Sequence, residues 1–290
     1  MTSPPLGAAS ARLGLKADGA RLLHLRANAV YHLPGPNAVL RMRHAPGNRQ
    51  ALQRLDSAIR TTRWLADEGF ATIEPLPVDQ PVTVHGWIAT AWRYVSGTAR
   101  SASAPHDLAV LLRDLHTRRA PIDVPALQPL GTLHADLTQH ATELPEEHHR
   151  WLLRRCVEIE QDYRQLTPPL GEGLLHGDAH TGNLFRDCDR WVFGDWDSIA
   201  HGPVLSDLVP AMMQHRRFGR SRADWISFCR DYGIDSDVED HPAAATLRAA
   251  RELRSLAAYL RASHQPEVRV ELQRRLTSLV EGTPATWRPV

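Results

Sequence analysis

Lysine is almost missing from this sequence: Lys16 is the only one in 290 residues, although lysine and arginine together number 34. Any permanent positive charge that a site needs beyond residue 16 must therefore come from arginine. The guanidinium group stays charged and presents a planar fork of donors, so it is not a neutral substitute for an ammonium group.

Long apolar runs are also missing, and no segment approaches the roughly 18 apolar residues of a membrane span. The N-terminus has no basic region followed by an apolar core, so we expect no signal peptide and a cytoplasmic location. The net charge is only +1, so the sequence lacks the excess of positive charge that favours binding to nucleic acid or an anionic membrane. We therefore expect neither partner, and the sequence leaves the oligomeric state open.

Cysteine is rare, and the sequence has no paired cysteine motif. The three cysteines are widely spaced, and no CxxC occurs. This pattern fits a reducing compartment and argues against a disulfide framework or a structural zinc site. The sixteen histidines form no HExxH and no His-x-His motif, which argues against a zinc enzyme.

The first hundred residues have the pattern of a small sheet with one helix. Residues 21–44 contain RLLHLR, AVYHLP and AVLRMRH, separated by AN and by the turn sequence PGPN. These segments predict three antiparallel strands. Residues 48–70 carry apolar side chains at helical spacing and predict an amphipathic helix that ends near Gly69. VTVHGWIATAWRYVSG then predicts a hairpin that turns at His85 and Gly86.

The rest of the chain is mainly helical by pattern. Residues 96–105 are rich in Ser, Ala and Pro, which is typical of a linker, and leucine-striped helices follow. We therefore predict an α+β fold with an N-lobe of residues 1–95, a linker of residues 96–105 and a helical C-lobe of residues 106–290. Two lobes imply a cleft between them, and such clefts are preferred ligand sites.

One polar stretch, HGDAHTGNL, interrupts the helical part and contains His176, Asp178 and Asn183. The following segment, LFRDCDRWVFGDWD, predicts a hairpin that returns Asp195 to the neighbourhood of Asp178 and Asn183. Carboxylate and amide oxygens are ligands that suit Mg²⁺. The D-x-x-x-x-N spacing matches the catalytic loop of protein kinases, and Asp195 then stands where the metal-binding Asp of D-F-G would stand.

HGDAHTGN followed by GDWDSIAHGPVLSDL resembles the aminoglycoside phosphotransferase family, and the resemblance covers most of the chain. It implies a bilobal, protein-kinase-like fold and phosphoryl transfer from ATP or GTP to a hydroxyl group of a small molecule, with Mg²⁺. It also implies that Asp178 is the catalytic base, that His176 is the structural histidine of the catalytic loop, and that Asn183 and Asp195 are the Mg²⁺ ligands.

The same resemblance suggests roles for two further acids. Asp197 would be the second acid of the DWD sequence, and Asp207 would brace the loop. His180 has no assigned role, and packing within the loop is the simplest interpretation for it.

Phosphate groups need a cation, which is normally a lysine on the third strand, as in V-A-I-K. Lys16 lies before the strands, so the cation must be an arginine. Arg41 aligns with this lysine, and VLR occurs at this place in relatives by resemblance. Arg43 points to the same face by strand alternation and is the alternative. A solvent-facing strand arginine is the remaining interpretation for Arg41.

The acid that would pair with this arginine is predicted on the helix. Asp56 is the only acid in the body of the helix, so we predict it as the partner of Arg41, although its side chain is short. A solvated helix residue is the alternative interpretation. Asp67 and Glu68 lie at the helix end.

No G-x-G-x-x-G motif lies between the first two strands, where RANAV occurs instead. Asn28 tolerates the left-handed conformation that such a loop needs, so its backbone is predicted to cover the phosphates, with a plain turn residue as the alternative. By resemblance, the hinge that meets the nucleotide base comprises Trp92, Arg93, Tyr94 and Val95. The aromatic side chains there are equally consistent with core packing.

The acceptor is the least defined part of the prediction. The segment DYGIDSDVEDH could attract a cationic substrate, although a solvated acidic loop is the favoured interpretation. The carboxylates of this segment belong to Asp231, Asp235, Asp237, Glu239 and Asp240. The arginine-rich helical part does not favour a polycation. A protein acceptor is not expected, because no long activation segment and no A-P-E motif occur. A small-molecule kinase is therefore predicted; the alternative is a nucleotide-binding regulatory protein with weak or no catalysis.

Overall fold

The computed structural model describes residues 3–25, 28–98, 105–119 and 123–288. The chain forms two compact units: unit 1 comprises Met1–Pro125 and His176–His201, and unit 2 comprises Ala126–Leu175 and Gly202–Val290. This division differs from the predicted boundaries, because the segment with the polar loop belongs to the unit that contains the sheet. Most of the predicted linker, residues 99–104, lies outside the described residues.

Unit 1 is built on a five-stranded antiparallel sheet with the order β1-β2-β3-β5-β4. The strands are β1 (Arg21–Leu25), β2 (Ala29–Leu33), β3 (Ala38–His44), β4 (Val82–Val84) and β5 (Trp87–Arg93). The other elements of its first segment are α1 (Leu6–Arg12), α2 (Arg49–Asp67), β6 (Gly97–Thr98) and α3 (Pro105–Thr117). The three predicted antiparallel strands and the hairpin turn at His85 and Gly86 are confirmed, and both turn residues have positive φ.

The two faces of this sheet are covered by different helices. Leu40 and Met42 are fully buried on one face, where they pack with residues of α1. Arg41 lies on the other face, because side chains alternate along β3. On that face Ile88 packs with residues of α2. Asn48 caps the N-terminus of helix α2, because its side chain accepts a hydrogen bond from the backbone N–H of Ala51 at 2.9 Å. The sheet therefore presents Arg41 on the same face as α2.

The second segment of unit 1 contains the predicted hairpin, formed by β8 (Leu184–Asp187) and β9 (Arg190–Phe193). It is attached to the first segment by backbone pairing between Thr72 and Phe193. The indole N–H of Trp196 also donates to the Thr72 hydroxyl at 2.8 Å, and Trp196 is fully buried. These attachments are the physical reason why the polar loop belongs to unit 1.

Unit 2 is mainly helical. Its elements are α4 (Leu133–Gln139), α5 (Glu146–Arg164), β7 (Glu172–Leu175), α6 (Val209–Arg217), α7 (Arg222–Tyr232), α8 (Pro242–Arg261) and α9 (Pro266–Val280). Strand β7 pairs with β10 (Ala200–Pro203). Leucine side chains of α4, α5, α8 and α9 form one core, in which Leu133, Leu152, Leu256 and Leu276 are fully buried. Each such leucine contributes about 1.5–3 kcal/mol through burial. Among the described residues, no helix has the length and apolar character needed to cross a membrane.

Candidate active site

His176 joins the polar loop to the DWD segment. The backbone N–H of Asp178 donates to Nδ1 of His176 at 3.3 Å, so the ring proton is on Nε2. Nε2 then donates to the backbone carbonyl of Gly194 at 2.9 Å. The ring is fully buried and packs against Phe193 and Trp196, with centroids 4.7 Å from each. His176 therefore fixes the position of the Asp178 backbone relative to the segment that carries Asp195.

Gly177 allows this close approach. Its φ is +79°, and a Cβ atom there would lie 1.9 Å from the backbone oxygen of Ser198. No other amino acid fits such a position without movement of the backbone. The glycine of the HGD sequence is therefore required by the contact between the loop and the segment that follows Asp197.

Asn183 holds the other end of the loop. Its side-chain Nδ2 donates to the backbone carbonyl of Asp178 at 2.9 Å. Its own backbone carbonyl accepts from the N–H of Gly194 at 2.9 Å, one residue before Asp195. The structure thus brings Asp178, Asn183 and Asp195 together, as the hairpin spacing predicts.

Asp195 has a left-handed backbone conformation, with φ 63° and ψ 54°. This conformation is uncommon for residues other than glycine, and such residues cluster at functional sites. The Asp195 side chain is 42% exposed, and that of Asp178 is 34% exposed. Both carboxylates are therefore accessible to a ligand.

Arg41 bridges the two acids of the DWD sequence. Its Nη2 lies 2.7 Å from Oδ1 of Asp195 and 3.1 Å from Oδ2 of Asp197. The structure does not support Asp56 as its partner, since Asp56 pairs with Arg60 one turn along α2, at 2.9 Å. The sequence missed this arrangement because both acids lie more than 150 residues from Arg41.

Burial affects the charges of this cluster. It lowers the pKa of Arg41, but Asp197 and Asp195 raise that pKa by more, so the net shift is upward. Burial raises the pKa of the Asp197 carboxyl more than Arg41 lowers it. One guanidinium group thus faces two carboxylates, so the cluster has room for a further cation when both acids are ionised.

The residues that could hold Mg²⁺ fit its preference for oxygen ligands. Because Nδ2 of Asn183 is used by the Asp178 carbonyl, the amide oxygen is the atom that can face a ligand. Asp195 supplies an accessible carboxylate. Oδ1 of Asp197 is buried and has no hydrogen-bond partner among the described residues. No group of three or more His, Cys, Asp or Glu side chains in the described ranges is arranged as a metal site, so a cation here would also need the Asn183 amide.

Arg43 and Asn28 flank this cluster in different ways. Arg43 shares the sheet face of Arg41 but is exposed, and it contributes to the field at Asp197. The side chain of Asn28 donates to Oδ2 of Asp197 at 3.4 Å. The role of the Asn28 backbone at the phosphates stays a prediction. Sequence reasoning therefore singled out Asn28 for its backbone but did not predict the contact of its side chain with Asp197.

The predicted hinge is partly used within the protein. The backbone N–H of Arg93 donates to Glu74 at 2.9 Å, and that of Tyr94 donates to Asn37 at 3.1 Å. Trp92 is buried, and its indole N–H donates to Thr90 at 2.9 Å. The N–H groups of Arg93 and Tyr94 are therefore not available to a base, and the Trp92 side chain belongs to the core.

The sequence missed two contacts around the loop. Arg93 forms a two-pronged ion pair with Asp187 of β8, at 2.7 and 3.3 Å, and hydrogen bonding from Arg93 lowers the pKa of Asp187. The Nδ1 atom of His180 accepts from the N–H of Gly182 at 3.0 Å, and its Nε2 lies 3.8 Å from Oδ2 of Asp178. His180 therefore caps the short turn that presents Asn183.

The acidic segment in unit 2 is largely structural. The Glu239 side chain is fully buried, and Arg216 and Arg222 each approach its carboxylate to 2.8 Å. These hydrogen bonds outweigh the upward effect of burial, so the pKa of Glu239 is lowered. The Asp235 side chain accepts from a backbone N–H two residues later. Glu239 therefore does not offer a free carboxylate to a cationic substrate.

Asp207 also belongs to unit 2, where it ends a short 3₁₀ helix and is 2% exposed. The position is consistent with a structural acid. Its role in bracing the loop stays a prediction.

Solved structures with similar folds cover almost the whole chain. An amicoumacin kinase, hAmiN, in complex with AMP-PNP, Ca²⁺ and Ami, is 15% identical with a TM-score of 0.74, over 96% of this chain and 93% of that one. A choline/ethanolamine kinase family protein from Mesorhizobium loti is 17% identical with a TM-score of 0.64, over 95% and 94%. Spectinomycin phosphotransferase in complex with ADP and spectinomycin is 14% identical with a TM-score of 0.57, over 93% and 92%.

At these identities the likeness concerns the fold, and it confirms the predicted α+β, kinase-like class. No curated protein matches the chain. The model of the phosphotransferase enzyme family (APH) matches residues 19–247, which include the sheet, Arg41, the polar loop and the DWD segment. The chain therefore belongs to the phosphotransferase enzyme family.

Proposed function

We propose that the protein is a Mg²⁺-dependent kinase that transfers the γ-phosphoryl group of ATP or GTP to a hydroxyl group of a small molecule. The observation that carries this proposal is the hydrogen-bonded frame of His176, Asn183 and Gly194, which brings Asp178 and Asp195 together. Phosphoryl transfer depends mainly on positioning and charge stabilisation, so a rigid frame of this kind suits it.

Asp178 is the residue that meets the acceptor. Its carboxylate orients the acceptor hydroxyl and takes its proton as the new O–P bond forms and the bond to the β-phosphate oxygen breaks. An ordinary Asp has a pKa near 4, so the proton moves late and orientation is its main contribution. The partial exposure of the carboxylate supports this role.

Asn183 and Asp195 would hold Mg²⁺, which when bound neutralises charge on the phosphate oxygens. Arg41 supplies the positive charge that a strand lysine supplies in protein kinases. Asn28 lies beside the same cluster, which supports a role for its backbone at the phosphates. Val95 provides the backbone N–H for the base, because those of Arg93 and Tyr94 are already used.

The acceptor is an aminoglycoside-like compound or another small alcohol. The related structures concern an amicoumacin kinase, a choline/ethanolamine kinase family protein and a spectinomycin phosphotransferase, so the fold serves several acceptors. The ion pairs of Glu239 argue against a polycation bound at the acidic segment. The carboxylate of Glu239 is therefore not a binding group for the amino groups of an acceptor.

A screen of nucleotide consumption over aminoglycosides, other antibiotics and metabolite alcohols tests the proposal. With an active acceptor, Asp178→Asn should lower kcat by about 10³-fold and leave nucleotide affinity nearly unchanged. Asp189→Asn is the matched control, because Asp189 is an exposed acid in the turn of the same hairpin, and it should retain full activity.

Two results would count against the proposal. Equal activity of Asp178→Asn and the wild type would remove Asp178 from the reaction. Nucleotide binding without consumption across the whole panel would favour the regulatory alternative.

A further inference from the structure

Asp197 and Asp195 contact the same nitrogen atom but differ in exposure. Nη2 of Arg41 lies between the two carboxylates, at 2.7 Å from Asp195 and 3.1 Å from Asp197. The Asp197 side chain is 18% exposed, against 42% for Asp195. Asp195 is thus the accessible acid of the pair, and Asp197 is the enclosed one.

Metal binding would give the two acids different partners. Asp195 is the carboxylate proposed to bind Mg²⁺, and a metal on its oxygens competes with the guanidinium group for them. Asp197 lies two residues further along, and its Oδ2 continues to accept from Arg41. Asn28 donates to the same oxygen, which restrains the orientation of the carboxylate. Asp197 is therefore the partner that Arg41 keeps.

Helix α2 does not take this role in the described structure. In protein kinases the strand cation is held by an acid on the neighbouring helix. Here Asp56, the acid in the body of α2, pairs with Arg60 on the same helix at 2.9 Å. An arginine without an orienting acid samples many rotamers, and fixing it on ligand binding costs side-chain entropy.

We propose that Asp197 is the positioning residue for Arg41, in place of an acid on the helix. It holds the guanidinium group at the phosphate site while Asp195 binds the metal, and Asn28 orients Asp197. This inference rests on the proposed function, since it takes from there the assignment of Arg41 to the phosphates.

A double-mutant cycle tests the proposal through nucleotide binding. The affinity for Mg²⁺ and AMP-PNP is measured by calorimetry for the wild type, Asp197→Asn, Arg41→Gln and the double variant. Asp197→Asn should weaken binding about 10-fold in the wild-type background and less than about 2-fold beside Arg41→Gln, because contacting residues couple. Asp189→Asn should leave the affinity unchanged in both backgrounds.

A second variant covers the case in which Asp197→Asn does not fold. Asn28→Ala removes the hydrogen bond to Oδ2 of Asp197, at a half-buried turn position. It should weaken binding about 3-fold, and this effect should also disappear beside Arg41→Gln. Thermal unfolding of each variant separates loss of positioning from loss of folded protein.

The outcomes separate this inference from the function on which it rests. If the wild type binds AMP-PNP with Mg²⁺ but the effects of Asp197→Asn are equal in both backgrounds, the positioning role is overturned and the function stands. If Asp197→Asn abolishes Mg²⁺ binding without nucleotide, as Asp195→Asn should, Asp197 is a metal ligand and the positioning role is again overturned. If the wild type binds no nucleotide, both proposals fail.

Discussion

Replacement of Arg41 by Gln should strengthen the binding of Mg²⁺ in the absence of nucleotide. Nη2 of Arg41 lies 2.7 Å from Oδ1 of Asp195, the carboxylate proposed to bind the metal. A metal that binds there must compete with a fixed positive charge. The same substitution should weaken the binding of Mg²⁺ with AMP-PNP, because it removes the cation assigned to the phosphates. One substitution is therefore expected to have opposite effects on the two ligands.

The size of the first effect follows from Coulomb's law. A metal on the Asp195 carboxylate would lie roughly 4–5 Å from the guanidinium charge, where two unit charges interact by about 1 kcal/mol in water. The divalent charge doubles this to about 2 kcal/mol. Because the Asp195 side chain is 42% exposed, the aqueous value is the appropriate one. Arg41→Gln should therefore raise the affinity for Mg²⁺ alone about 30-fold.

Calorimetric titration with MgCl₂ at constant ionic strength measures this effect directly. Arg43→Gln is the matched control: it removes the same charge from the same strand and the same sheet face, at an exposed position. Its affinity for Mg²⁺ should change less than about 3-fold, since exposed charges further away are screened. An unchanged or weaker affinity in Arg41→Gln, or an equal rise in Arg43→Gln, would refute the reasoning.

Two further substitutions test the frame and the fold. Gly177→Ala places a Cβ atom 1.9 Å from the Ser198 oxygen and should lower the free energy of unfolding by more than about 3 kcal/mol. Gly171→Ala is the control, because Gly171 also has positive φ but has open space around it, and it should lower the free energy of unfolding by about 1 kcal/mol. Similar melting temperatures for the two variants would contradict this interpretation. Glu239→Gln leaves the arginine partners of a buried acid uncompensated and should cost about 3 kcal/mol at pH 7, measured by urea unfolding. Because the pKa of Glu239 is lowered in the folded state, its stabilisation is complete above the ordinary value near 4.3 and is lost as the pH falls through the folded-state pKa. The difference from the wild type should therefore narrow in acid, and a constant difference would argue against the ion pairs as its cause.

Local pattern predicted the elements that carry the site. The alternation in β3 places Arg41 and Arg43 on one face, opposite the buried Leu40 and Met42. The hairpin of β8 and β9 has Asp187 opposite Arg190, as the turn spacing predicts. Such features depend on residues close in sequence, so a single sequence contains them.

The features that sequence reasoning missed depend on distant residues or on weak local signals. The acidic partners of Arg41 are 154 and 156 residues away along the chain. The search for an acidic residue on the neighbouring helix could not identify them. Helix α1 has only seven residues, LGAASAR, too few for a helical period to stand out. It is stabilised by packing Ala9 against the sheet, which a propensity argument does not reveal.

The connection between Thr72 and Phe193 has a consequence for how the chain folds. Unit 1 is completed by a segment that is synthesised about 120 residues after Thr72, with which it pairs, and the first segment of unit 2 is encoded in between. Contacts at such sequence separation form late, because the entropy of loop closure opposes them until both sides are present. A nascent chain that ends before residue 176 has the sheet and Arg41 but lacks the acids that hold it. Unit 1 therefore stays incomplete until the middle of the chain has been synthesised, and its uncovered surface favours misfolding or chaperone binding during that interval.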